Sequence, residues 1–200
     1  MKKTLVAVAL AIALPTLATA SDLNPGALQL SGRSGFDFLS RTDKVTIGGT
    51  SIEADSSRLG ASLSAMYFIS KFLGFGLSTE YEKTSFGSGA SEVTDSVFVF
   101  GPKAGLDYEL MRHLSVFADG TVGVAQANYD GEKATGWGIE LAAGVRLFLN
   151  PNVSLDLMGA FKRVGVDGDV TGKVTTTDLR GMIGFSLYLT NNPVNADYAR

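Results

Sequence analysis

The chain has no cysteine and a single histidine in 200 residues. That excludes a disulfide framework, a thiolate metal site, a cysteine nucleophile and any zinc site built from several histidines. Charge is also scarce. Asp, Glu, Lys and Arg make up 18% of the chain, against about 25% in ordinary soluble domains. The net charge is −3, and a nucleic-acid binder would need a basic surface, so no nucleic-acid partner is expected. Beyond the N-terminus no apolar run reaches the ~18 residues of a spanning helix. What is plentiful is glycine, with 24 residues, where average usage would give about 14.

The first 20 residues read as an export address. Lys2 and Lys3 form a positive start, Leu5 to Leu14 is continuously apolar, and Pro15 breaks the run. Ala18-Thr19-Ala20 then has the small-x-small pattern of a cleavage site. Ten helical residues cover only about 15 Å, half of a bilayer core, so the segment is too short for an anchor. We expect a signal peptide over 1–20 and cleavage near Ala20. A barrel domain is expected over 21–189 and a short polar tail over 190–200.

The rest alternates apolar and polar residues with period two, the strand signal. Leu59, Ala61, Leu63, Ala65 and Tyr67 share a face opposite Arg58, Gly60, Ser62 and Ser64. The cleanest run sets Trp137, Ile139, Leu141, Ala143, Val145 and Leu147 against Gly138, Glu140, Ala142, Gly144 and Arg146. Eight such runs occur, and no helix is expected. Short connections at 70–72, 109–112 and 150–152 alternate with long ones at 40–57, 84–95 and 164–175. An intermediate one lies at 128–134. This reads as an all-β, eight-stranded, antiparallel up-and-down chain of hairpins with one short and one long end.

Composition of the polar face decides which way the apolar face points. Against bulk water the polar face would be dense in charge. It is instead mostly Gly, Ser, Ala and Thr, which suits the crowded interior of an eight-stranded barrel. The apolar face carries Leu, Val, Ile and Phe, with aromatics towards the strand ends. Phe38, Tyr81 and Trp137 lie near the long loops, and Tyr67, Phe75 and Tyr108 near the short turns. Two interfacial girdles around a transmembrane β-barrel fit this pattern. The barrel must close, because an open edge in lipid leaves backbone groups unsatisfied.

On this pattern the chain resembles the small eight-stranded outer-membrane proteins of Gram-negative bacteria, the superfamily of the OmpA transmembrane domain, OmpX and OmpW. The resemblance covers residues 27–189, with local phrases such as Phe100-Gly101-Pro102 and Tyr67-Phe68-Ile69. It implies an outer-membrane location with both termini in the periplasm, and lipid and lipopolysaccharide around the wall. It also implies handling by periplasmic chaperones and the barrel-insertion machinery. The last strand resembles the insertion signal through Gly184, Leu187 and Leu189, although an aromatic is usual where Leu189 stands. The tail after Leu189 is too short for a peptidoglycan-binding domain.

Thirteen charges fall on the polar face: Arg33, Arg58, Lys103, Arg146, Lys162 and Arg180 against Asp37, Glu80, Glu82, Asp107, Asp119, Glu140 and Asp156. They read as ion pairs filling a narrow lumen, with Glu140 and Arg146 in one central network. No catalytic, cofactor or metal residue emerges. His113-Leu114-Ser115 puts His and Ser on one strand face, as in the outer-membrane lipid A deacylases. Position 127, where their downstream Glu would stand, is Ala. The expected function is therefore a structural, envelope-stabilising or loop-mediated adhesion role, by a monomer without cofactor or enzymatic activity. The alternative is a narrow channel or transporter of small apolar solutes, and a lipid-modifying enzyme ranks third.

Overall fold

The structure, a computed structural model, describes residues 25–36, 45–47, 50–52, 56–86, 93–111, 113–129, 131–168 and 172–189. The expected signal peptide and tail lie outside these residues, as does Phe38. The strands are β1 (Leu28–Phe36), β2 (Val45–Ile47), β3 (Thr50–Ile52), β4 (Ser56–Phe68) and β5 (Leu73–Phe86). They continue as β6 (Val93–Met111), β7 (Leu114–Tyr129), β8 (Glu132–Asn150), β9 (Val153–Gly168) and β10 (Gly172–Leu189). Eight of them close a barrel in the order β1-β10-β9-β8-β7-β6-β5-β4, and every pairing is antiparallel. Among the described residues β2 and β3 pair only with each other. Among the described residues no helix is long and apolar enough to cross a membrane.

The register fixes the shape. Stepping from Trp137 across the ladders leads to Val124, Phe100, Thr79, Leu63, Gly32, Phe185, Leu155 and back onto β8 at Leu147. One circuit thus moves the row ten residues, from 137 to 147, along β8. With a rise of about 3.3 Å per residue and strands about 4.8 Å apart, that stagger sets a tilt of about 40°.

The apolar face is outside. Leu59 is 69% exposed, Leu63 65% and Leu141 56%, whereas Arg146 is 1% and Asp156 0%. Period two in a single register puts every second side chain inside, and the small, sparsely charged face is the one that fits the narrow interior. The interior is less uniformly small than the sequence implies. Met66, Phe68, Phe148 and Tyr188 form an apolar cluster at the short-turn end, and Phe117, Met158 and Met182 form another further in.

The long-loop end differs from expectation. The segments 84–95 and 164–175 are mostly strand, which leaves only 87–92 and 169–171 between the ladders. The 128–134 connection tightens to a two-residue turn, with Tyr129 opposite Glu132. Turn polarity misled the reading here. Thr84, Val93, Val164, Val166 and Thr175 to Thr177 are β-branched and favour strand. Inside them, Val99, Ala125, Ala127, Ala134, Val164 and Val166 pack into one cluster that holds this end together. Gly131 takes φ 90°, and Asn128 Oδ1 accepts its N–H at 2.9 Å. β8 runs about 13 Å further along the axis than Trp137.

Candidate functional site

Period two sends the polar face of every strand into a lumen only wide enough for side chains. Three ion groups stack there, about 8 Å apart along the axis. In the group nearest the turns, Arg146 on β8 donates Nε to Asp156 Oδ1 at 2.9 Å and Nη2 to Asp156 Oδ2 at 3.2 Å. Its Nη1 bonds Asp107 of β6. Asp156 also accepts from Ser154 Oγ at 2.9 Å and Ser186 Oγ at 2.7 Å. Gln29 Nε2 donates to the same Ser186 at 2.9 Å. The Arg146 guanidinium lies 4.3 Å from the centre of the Phe117 ring.

The middle group joins β1, β6 and β7. Arg33 meets Asp119 through both terminal nitrogens, and Lys103 Nζ reaches Asp119 Oδ1 at 2.9 Å. The third group lies nearest the long-loop end. Arg180 on β10 bonds Glu80, Glu82 at 3.4 Å and Glu140 at 2.6 Å. Lys162 on β9 joins Glu80 at 3.1 Å and Glu82 at 2.8 Å. Glu80 and Glu140 converge on one nitrogen of Arg180. Buried charges persist only when paired and hydrogen-bonded, and these layers supply both.

Arg33, Glu80, Lys103, Asp119, Glu140, Arg146, Asp156, Lys162 and Arg180 are all buried. The side chain of Arg58 lies outside the described residues. Glu140 and Arg146 do not share one network, contrary to the sequence reading. They stand six residues apart on β8, about 20 Å of strand, and belong to different ion groups. Asp178, 4% exposed, was missed, although its place two residues before Arg180 on the same face would have found it.

On the outer wall Tyr67, Phe75, Tyr81, Tyr108 and Trp137 are all exposed, between 44% and 66%. Tyr81 and Trp137 ring the long-loop end, and Tyr67, Phe75 and Tyr108 the turn end. The tilt and register put Trp137 about 25 Å above Tyr108 along the axis, the height of an outer-membrane apolar band. Gly184 is buried on the inner face, where a Cβ would stand 2.8 Å from the Gly32 carbonyl oxygen. Leu187 and Leu189 face outward.

No protein-family model and no curated protein matches the chain, but solved structures do. It superposes on Neisserial surface protein A with a TM-score of 0.56 and 17% identity, over 81% of this chain and 96% of that one. OprG of Pseudomonas aeruginosa gives 0.52 and 12%, over 86% and 98%. Ail, the attachment invasion locus protein of Yersinia pestis, solved with the heparin analogue sucrose octasulfate, gives 0.50 and 15%, over 82% and 99%. The chain has the fold of the small eight-stranded outer-membrane β-barrels.

In this outer-membrane barrel fold, His113 and Ser115 sit at the turn end of β7. Among the described residues His113 Nδ1 and Ser115 Oγ each lack a hydrogen-bond partner, so they do not bond each other. Ala127 lies twelve residues further along β7, about 40 Å of strand, at the opposite mouth of the barrel. Among the described residues no group of three potential metal ligands forms.

Proposed function

We propose that the chain is a closed, non-conducting barrel of a Gram-negative outer membrane, exported behind residues 1–20. Its role is to stabilise the envelope or make contacts at the cell surface, through its outward wall and loop end. Lipid and lipopolysaccharide are its lateral partners, and it acts as a monomer without catalytic chemistry. One observation carries the reading. Three layers of paired charges occupy the lumen, between an apolar cluster at the turn end and another at the loop end. The void beside Glu80, Thr121, Glu140 and Lys162 measures about 10 Å³, room for one water. An ion path would have to break all three layers. With the interior packed, recognition falls to the outside.

Single-channel recording of the refolded chain in a planar bilayer tests this, with heat-modifiable gel mobility as the folding control. A folded, silent barrel is the expected result. Reproducible discrete openings would overturn the reading and make the narrow channel the function.

A further inference from the structure

Arg163 points the wrong way for a charge in this fold. It lies on β9 between the outward Phe161 and Gly165, and its side chain is exposed. Its ladder partners are Ile139 on β8 and Thr177 on β10. The diagonal neighbours are Trp137, Leu141, Thr175 and Leu179, none of them acidic. Asp167 shares the outward face but stands four residues away, about 13 Å, with Lys133 as its own diagonal neighbour across β8. Arg163 thus has no carboxylate within reach among the described residues. It sits just inside the level of the loop-end girdle, where Trp137 lies over Gly165. A Cβ on Gly165 would meet the indole Nε1 and Cε2 at 3.2 Å. The register puts Trp137, Arg163 and Thr177, all exposed, on one patch of wall above the apolar Ile139, Leu141, Phe161 and Leu179.

A cation at the edge of a membrane needs a counter-charge, and a guanidinium matches phosphate oxygens in pairs. We propose that the wall around Arg163, Trp137 and Thr177 is a binding site for the phosphate-bearing headgroup of an outer-leaflet lipid. The acyl chains lie against Ile139, Leu141 and Phe161. The inference rests on the membrane reading above.

Trp137 is the chain's one tryptophan, so its emission reports directly on the site. The folded barrel in maltoside micelles, which carry no phosphate, is titrated with dihexanoyl phosphatidic acid. A saturable change in Trp137 emission is expected with this lipid, and none with dihexanoyl glycerol or with inorganic phosphate at equal concentration. Arg163→Gln should weaken the apparent affinity about fivefold, the weight of one basic residue at an anionic surface. Arg163→Lys should recover part of it. Lys83→Gln, on the outward face of β5 across the barrel, should leave the curve unchanged. An unaltered curve for Arg163→Gln, or an equal response to inorganic phosphate, overturns the site. Flotation with phosphatidylcholine vesicles separates the two claims. A barrel that floats but ignores the lipid phosphate loses only the site, and one that fails to float loses the membrane reading.

Discussion

Phe117 shows how single residues set the lumen's limits. Its ring lies between two guanidiniums, Arg146 at 4.3 Å and Arg33 at 5.6 Å from the ring centre, so it separates the turn-end ion group from the middle one. At the third group the balance rests on Arg180, which three carboxylates share. Glu140→Gln leaves Arg180 with Glu80 and Glu82, so a loss of about 1 kcal/mol is expected. Glu140→Lys adds a third cation beside Arg180 and Lys162 and should cost about 3–5 kcal/mol. Urea unfolding in lipid vesicles, followed by heat-modifiable mobility, distinguishes the two. The sides of these charges were legible from period two. Their partners were not, because Arg146 reaches Asp107 two strands away on β6, and no local pattern encodes a stagger that is closed only around the whole ring.

Among the elements, β6 and β7 approach each other closely at a reciprocal pair of glycines. A Cβ on Gly101 would stand 2.1 Å from the Val122 carbonyl oxygen, and one on Gly123 2.2 Å from that of Phe100. Pro102 beside them has no N–H to give the ladder, and the pairing of β6 with β7 skips Gly101 and Pro102. Only glycine leaves room for the two backbones here. Gly123→Ala should therefore lower refolding yield by several-fold. Gly159→Ala, whose Cβ meets nothing within 4 Å, should refold like the parent, and band-shift gels on the same preparation read both. The existence and facing of the eight barrel strands were legible in the sequence, whereas the β2–β3 pair inside the expected 40–57 connection was not. Strand length was not, because Ser, Thr, Gly and Asp are turn-formers in isolation, yet here they continue ladders whose inner face is sealed by Val99, Val164 and Val166.

Taken whole, the molecule is an apolar belt about 25 Å tall between two aromatic rings. Trp137 belongs to the ring at the loop end. Lipids brominated close to the headgroup should quench its emission at least twice as strongly as lipids brominated at the chain ends, with the folded barrel in vesicles. Equal quenching would remove Trp137 from the girdle. The outward facing of aromatics such as Tyr108 and Tyr81 was readable from period two. The segregation of the lumen into separate ion groups was not, since it depends on the ten-residue stagger.

The ring also imposes a schedule. β1 pairs with β10, so Leu28 meets Leu189, and Gln29 bonds Ser186 across 157 residues of chain. The first strand therefore waits, with one edge open, until the last one arrives. Such distant pairings are slow, because loop closure comes before any contact rewards it. An edge left open in the meantime is a template for other chains. On the membrane reading proposed above, holding the strands apart until all eight are present would fall to the barrel's surroundings.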